Sequence, residues 1–294
     1  MALGLLDYQL DYRGFRIGAD TPYEVVSHEG LLGFEVRSAD EDLPRGDGAV
    51  RGRDLVAARQ CGIDVEVVGS EAEVESLLAA LRDAFDPSET LDSDLVFKLP
   101  GQVEQLIRAR PTQLRDRRDW KGLLLRTQPI TMRAADPRIY SSDVRQLIVP
   151  IYSAAGGGID YPVGDYPIDW TASASGEVVA TNAGKARAYP LIRWYGPVTG
   201  TATGVKLTNL TNGEVIDIQT TVSAGQILTA DIEAYVTGAA RRVIALSGAS
   251  RYGSWQFPHT AWSLSPGDNV VRFELTGTSV NVQALLTWRD TWRA

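Results

Sequence analysis

Hydrophobic positions recur with a period of two along most of this chain, and with a period of about 3.6 in one short window. In YQLDYRGFRIG, Tyr8, Leu10 and Tyr12 alternate with polar neighbours, Gly14 interrupts, and Phe15 and Ile17 resume, which predicts paired strands. In GIDVEVVG, Ile63, Val65 and Val67 take one face of a strand while Asp64 and Glu66 take the other. The helical window follows directly: Val74, Leu77, Leu78, Leu81 and Phe85 share one face, Ser70 with Glu73 forms a capping box, and Asp86-Pro87 ends the run. DLVFKLPGQVEQLIRARP reads as a hairpin whose Pro100-Gly101 suits the centre of a type II turn, and GLLLRTQPITMRA supplies a further strand. The first part of the chain is thus expected to be a sheet carrying one helix.

Beyond residue 142 no convincing helix is expected; the nearest, around Ala230 to Val236, is short and unsupported. Short strands instead follow one another: GEVVATN, YPLIRWYG, GVKLTNLTNGEVIDI, GQILTAD, RRVIAL, NVVRFEL and SVNVQALLTWRD. Asn212-Gly213 favours a tight hairpin, since both residues tolerate positive φ. Strands at this spacing predict a β-sandwich or jelly roll. IYSAAGGGIDYPVGDYP, with Gly156, Gly157 and Gly158, reads as a strand running into a long surface loop, with a flexible linker as the competing reading.

Charge sharpens the division. Of the 294 residues, the first 142 hold 18 basic and 25 acidic side chains; the remaining 152 hold 11 and 12. TMRAADPRIYSSD sits at the step, so two domains are expected, 1–142 and 143–294. The net charge of −8 argues against a surface that grips nucleic acid through phosphates, but not against one that nucleic acid slides past. No apolar window is long enough to span a bilayer, no membrane insertion is expected, and MALGLLDYQLDYRG is not read as a signal peptide. The single cysteine, Cys61, fits assembly in a reducing cytoplasm and is expected to be a small buried apolar residue. Arginine makes up 25 of the 29 basic residues, which looks like a GC-rich coding bias.

Candidate chemistry is sparse. His28 and His259 stand one in each half, outside any nucleophile elbow and without partners at zinc-ligand spacing. The three glycines lack the lysine and hydroxyl of a phosphate loop. Asp40, Glu41, Asp42 and Asp47 lack the ordered spacing of a calcium loop, so a solvated acidic turn is the better reading, and Arg45-Gly46-Asp47 spells an adhesion tripeptide without independent support. Arg108, Arg110, Arg115, Arg117 and Arg118 form a basic run with Asp116 and Asp119. A charged loop is favoured there over a nucleic-acid patch, and an inter-subunit salt-bridge surface is a third option. Trp170, Trp194, Tyr195, Tyr252, Trp255 and Trp262 could stack on sugars, though core packing is the commoner use of tryptophan. Glu177, Glu214, Asp217, Asp231, Glu233, Asp268 and Glu274 give no obvious pair for glycoside hydrolysis. No catalytic residue, metal ligand or cofactor-binding residue is assigned, and no cofactor is expected.

Four stretches, in order, carry a likeness. They are YRGFRIGADTPYEVVSHEGLLGFEVRSADEDLPRGDGAVRGRDL; GIDVEVVGSEAEVESLLAALRDAF with LVFKLPG; ITMRAADPRIYSSD; and TNAGKARAYPLIRWYGPV with LTNLTNGEVIDI and WSLSPGDNVVRFEL. Together they resemble the distal tail proteins of long, non-contractile-tailed bacteriophages, a family grouped with siphophage tail components. The resemblance implies a mainly β fold: an N-terminal β domain with one helix and an extended arm, closing into a sixfold ring, and a C-terminal galectin-like β-sandwich outside it.

The same resemblance implies a structural virion protein at the far end of the tail, assembled in the host cytoplasm, with no catalytic residues. The partners it implies are copies of itself in a homohexameric ring, the tail tube protein, and the tail-tip hub and receptor-binding proteins; genomic DNA would pass through without specific binding. A carbohydrate-binding module contacting the host surface is the alternative, and a jelly-roll glycosidase the remote third.

Overall fold

The structure is a computed structural model that describes residues 3–43, 45–87, 92–115, 117–118, 126–151, 176–196, 201–238, 243–275 and 283–293. Gly156 to Gly158, Trp170, Asp116 and Asp119 lie outside the described residues. The chain is mainly β and divides into two compact units, Met1–Asp143 with Trp292–Ala294, and Val144–Thr291.

In the first unit the hairpin β1 (Gln9–Tyr12) and β2 (Phe15–Gly18) leads to β3 (Tyr23–Glu29). A ribbon of four two-residue strands follows: β4 (Val36–Arg37), β5 (Glu41–Asp42), β6 (Ala49–Val50) and β7 (Leu55–Val56). Next come β8 (Arg59–Val67), helix α1 (Glu71–Ala84), β9 (Ser93–Lys98), β10 (Gln105–Leu114), β11 (Arg117–Arg118), β12 (Arg126–Ala134) and β13 (Ile139–Ser141). The main sheet runs β2-β1-β9-β10-β12-β8-β3, antiparallel throughout.

Alternation places Ile63, Val65 and Val67 of β8 inside, each no more than 2% exposed. Against them α1 lays Val74, Leu78 and Leu81, and Phe85 stacks on Tyr12 with ring centroids 5.1 Å apart. The expected cap is present: the Glu73 carboxylate accepts the Ser70 N–H at 3.3 Å and its hydroxyl at 2.7 Å. Between β9 and β10, Gln102 N–H donates to Leu99 O at 3.1 Å and Gly101 holds φ +70°, the positive angle that the third position of a type II turn requires. At the far end of the chain, Trp292 packs against this core.

The second unit is two facing sheets around one core. One sheet orders β14 (Arg145–Pro150), β23 (Gln283–Trp288), β16 (Leu191–Tyr195), β19 (Ile227–Asp231), β20 (Ile244–Leu246) and β21 (Ala249–Ser250). The other orders β15 (Glu177–Asn182), β22 (Gly267–Leu275), β17 (Thr201–Asn209) and β18 (Glu214–Ser223). Ile192, Trp194, Leu228 and Leu286 from the first sheet meet Leu207, Ile216, Ile218 and Phe273 from the second. This interdigitation of two inner faces is a β-sandwich.

Two sequence expectations change here. A helix does form in this unit: α2 (Ile232–Thr237), where the Asp231 carboxylate accepts the Ala234 N–H at 2.9 Å and Gly238 closes the other end at φ +68°. Six residues cannot display a helical period, so the two caps carry the signal that periodicity lacks. Asn212-Gly213 does not make a two-residue turn. Strand pairing ends at Asn209 and Glu214, so the loop is residues 210–213, closed by Gly213 N–H to Asn209 O at 2.8 Å, and only Gly213 has positive φ. The side chains explain it. Asn209 is fully buried, accepting from Thr211 N–H and donating to Ser263 O and Asn269 Oδ1, while Asn212 Oδ1 accepts the Glu214 N–H. These bonds favour the longer loop over the tight one.

Candidate interaction surfaces

The ribbon β4–β7 is held by its root. Ala57 N–H donates to Glu35 O at 2.8 Å, and the strands pair Val36 with Val56 and Glu41 with Val50. From Leu32 to Val56 every described residue is exposed except half-buried Gly52. Asp40 accepts the Gly52 N–H at 2.8 Å, and that bond, with one from Ser38, holds its carboxyl below the usual range. Asp40, Glu41, Asp42 and Asp47 are therefore residues of an exposed ribbon, with Arg45-Gly46-Asp47 near its tip.

Arg59 anchors the root. It is 3% exposed, and its guanidinium donates to Gly30 O at 2.9 Å, Leu31 O at 3.0 Å and Gly33 O on one side. On the other side it reaches Pro137 O through Nε at 3.1 Å and Nη2 at 2.6 Å. Burial lowers its pKa, opposed by Cys61 and Asp136. The Asp-Pro-Arg step at the charge boundary is thus a docking point: Asp136 pairs with Arg138 at 2.8 Å and also accepts the Tyr140 hydroxyl. Cys61 is buried as expected, and burial pushes its thiol up to about 11.

A second clamp holds the N-terminal segment. Glu104 accepts Leu3 N–H at 2.8 Å and Leu5 N–H at 2.7 Å, and Ser142 Oγ at 3.2 Å. Burial would raise its carboxyl, but donation from Leu5, Leu3, Ser142 and Gly4 outweighs it, and the net direction is down. Near this segment β1, β3 and β9 border a groove of about 380 Å³ that includes Tyr8, Val26, His28 and Lys98.

The basic run is partly compensated within the chain. Arg110 reaches Asp92 at 3.0 Å; Arg108 reaches Asp94 at 3.7 Å and lies over the Tyr140 ring. The side chains of Arg117 and Arg118 lie outside the described residues.

The sugar-stacking candidates divide by burial. Trp194 and Trp262 are fully buried and Trp255 is 3% exposed, so these rings belong to the sandwich core. Their indole N–H groups find no acceptor among the described residues, so what they contribute is packing. Tyr195 and Tyr252 are exposed, and so is Phe257, at 89%, which sequence reasoning passed over. His259 stacks on Trp255 with centroids 4.9 Å apart and bonds its carbonyl through Nε2 at 2.9 Å.

Among the described residues of this unit, five of the acidic candidates have structural partners. Glu214 accepts from Ser263 N–H at 2.7 Å and Arg187 at 2.7 Å, Asp268 from Thr181 at 2.6 Å, Asp231 caps α2, and Glu177 and Glu274 pair with Arg272 and Lys206. Among the described residues no group of three or more His, Cys, Asp and Glu side chains is placed to hold a metal.

The architecture is therefore an antiparallel sheet with one packed helix and, in the same chain, a two-sheet sandwich. No family model and no curated protein matches the sequence. Solved structures match the fold almost end to end. The SPP1 Dit (gp 19.1) protein, described as a paradigm of hub adsorption apparatus in Gram-positive infecting phages, aligns with 96% of this chain and 98% of its own, at TM-score 0.64 and 12% identity. A chain of the phage p2 baseplate in its activated conformation with Sr aligns with 95% of this chain and 96% of its own, at TM-score 0.50 and 12% identity. The chain has the fold of these phage hub and baseplate proteins.

Proposed function

We propose that this chain is a distal tail protein of a long, non-contractile-tailed bacteriophage. It is a structural virion component that closes into a ring of six copies and joins the tail tube to the tail-tip hub and receptor-binding proteins. The observation that carries this reading is the end-to-end likeness to the SPP1 Dit hub protein, covering both units. The residue inventory is consistent with it: among the described residues of the second unit, Asp231 caps a helix, Glu214 accepts from Ser263 and Arg187, and Glu177 and Glu274 stand in ion pairs.

The division of labour follows the two units. The first, with its edges and exposed ribbon, builds the ring, and the galectin-like sandwich presents an outward platform. The excess of acidic over basic groups in residues 1–142 gives a lumen past which DNA slides without binding. Assembly takes place in the host cytoplasm and the working location is the far end of the tail.

Native mass measurement of the purified full chain, with symmetry-resolved imaging of virions, tests this. A sixfold ring at the tail's distal end is the expected result. A solitary subunit in the virion, or a position elsewhere in the particle, would end the reading.

The alternative of a carbohydrate-binding module draws no support from Trp194, Trp255 or Trp262, which face the core.

A further inference from the structure

The two outer faces of the sandwich treat charge differently. On the four-stranded sheet, residues opposite one another neutralise each other: Arg272 Nε donates to Glu177 at 2.9 Å, Lys206 reaches Glu274 at 3.1 Å, and Thr181 donates to Asp268 at 2.6 Å. Cross-strand pairs of this kind suit a face that stays in water.

The six-stranded sheet is built otherwise. Strand register sets Ile148, Leu285, Arg193 and Thr229 in one row across β14, β23, β16 and β19. Ile192 and Trp194, on either side of Arg193, point into the core, so alternation turns Arg193 outward. Leu191 and Tyr195 flank it along β16, and Ile227 stands opposite Tyr195. Ile148, Tyr195 and Ile227 are 56%, 41% and 38% exposed. Arg193 is half-buried among them, and its guanidinium has no ion pair or hydrogen bond among the described residues. This face therefore leaves aliphatic surface in water around a fork of donors that has no acceptor.

We propose that the outer face of the six-stranded sheet docks a second kind of chain, through a segment that lays aliphatic side chains on Ile148, Leu285 and Ile227 and sets one carboxylate on Arg193. This rests on the reading of the sandwich as an outward platform, and it names the surface and the chemistry of the contact. Charge and polarity decide the occupant. Two copies paired face to face about this row would bring Arg193 against Arg193, which disfavours a second copy. A saccharide, rich in hydroxyl groups, would find few hydrogen-bonding partners among Ile148, Leu285 and Ile227. On a chain of net charge −8, a cation in an apolar frame fixes where a carboxylate lands, and so sets the register of the docked segment.

Benzoylphenylalanine introduced into the full chain at Ile148, and for comparison at Val179 on the other sheet, tests this in assembled virions, since the two positions are 56% and 54% exposed. Illumination is expected to join position 148 to a different virion protein, within an apolar segment that carries an acidic residue, and to give no such product from position 179. Arg193→Glu is expected to cut the yield about tenfold or more, because a charge-assisted pair becomes a like-charge repulsion, with the melting temperature unchanged. Arg193→Lys is expected to restore part of it.

A cross-link from position 148 only to another copy of this chain, or none while the tails carry the ring, overturns the inference and leaves the ring reading standing. An unchanged yield in Arg193→Glu does the same. Retention of the purified chain on cell-wall polysaccharide that Arg193→Glu abolishes would give the face to a glycan and also overturn it. Tails from which this chain is absent would end the reading of the protein as a tail component, and the inference would fall with it.

Discussion

Arg59 donates two hydrogen bonds to the carbonyl oxygen of Pro137, 78 residues along the chain, and turns its remaining reach on the carbonyls of Gly30, Leu31 and Gly33. One planar cation thereby fastens the root of the ribbon to the segment where the chain's composition changes. The geometry needs a fork of fixed donors, which a lysine ammonium does not supply.

Replacing Arg59 therefore exposes more than one loss. Arg59→Met removes the donor from the buried carbonyl of Leu31 and from the part-buried carbonyls of Gly30, Gly33 and Pro137, and a buried group left unpaired costs about 1–3 kcal/mol. Destabilisation of at least about 3 kcal/mol is expected, with Arg59→Lys recovering only part of it. Urea unfolding reads the energy, and limited proteolysis within residues 34–56 reads the loosened ribbon. Equal midpoints for Arg59→Met and wild type would show that water replaces the guanidinium at no cost.

Glu104 makes a pH-dependent claim. Its carboxyl is lowered in the folded chain, so the stability it contributes is complete above the ordinary carboxylate value and is lost as pH falls through the lowered one. Glu104→Gln keeps the shape and removes the charge. The variant is expected to melt below wild type at neutral pH, with the gap closing in acid as the wild-type carboxylate is protonated. A gap that stays constant between neutral pH and strong acid would remove the charge from the explanation. Exchange of the Leu3 and Leu5 amides, which Glu104 accepts, gives a local readout.

Cys61 offers a probe of the first unit's core. It is fully buried with its thiol raised to about 11, so at pH 8 it is both sheltered and almost entirely protonated. Thiol reagents are expected to leave it unmodified in the native chain and to label it at the rate of unfolding. Rapid labelling under native conditions would contradict the burial.

The capped helix α2 carries a prediction and a lesson. Asp231→Ala removes the acceptor for the Ala234 N–H and is expected to cost about 1 kcal/mol, measured as a shift in the urea midpoint.

The strand–helix passage from Ile63 to Phe85 is legible in the sequence because its periodicity changes there from two to that of a helix. In α2 only Ile232 and Ala234 are buried, and one and a half turns are too few for a period to emerge. The aspartate before it and the glycine after it were the readable signs. The ribbon was legible only through resemblance, since strands of two residues with every side chain exposed have no inside face to alternate against. Nor does sequence distinguish Asn209, which ties the loop residues Thr211 and Ser263 from inside the core, from the exposed asparagine of an ordinary turn.

Trp255 and Phe257 stand two residues apart and separate packing from recognition. Trp255 is 3% exposed and touches the rings of Tyr235, Tyr252 and His259, whereas Phe257 is 89% exposed. Trp255→Ala removes a buried ring and is expected to cost about 3–5 kcal/mol. Phe257→Ser, at a surface position, is expected to stay within about 0.5 kcal/mol of wild type. Loss of glycan retention in Trp255→Ala would thus report an unfolded sandwich and say nothing about sugar contact. The informative change is Phe257→Ser, which leaves the fold intact. Retention of the wild-type chain on cell-wall polysaccharide, lost in Phe257→Ser at an unchanged melting temperature, would establish a glycan surface on the sandwich. Equal behaviour of the two chains on that matrix is what a purely structural platform requires.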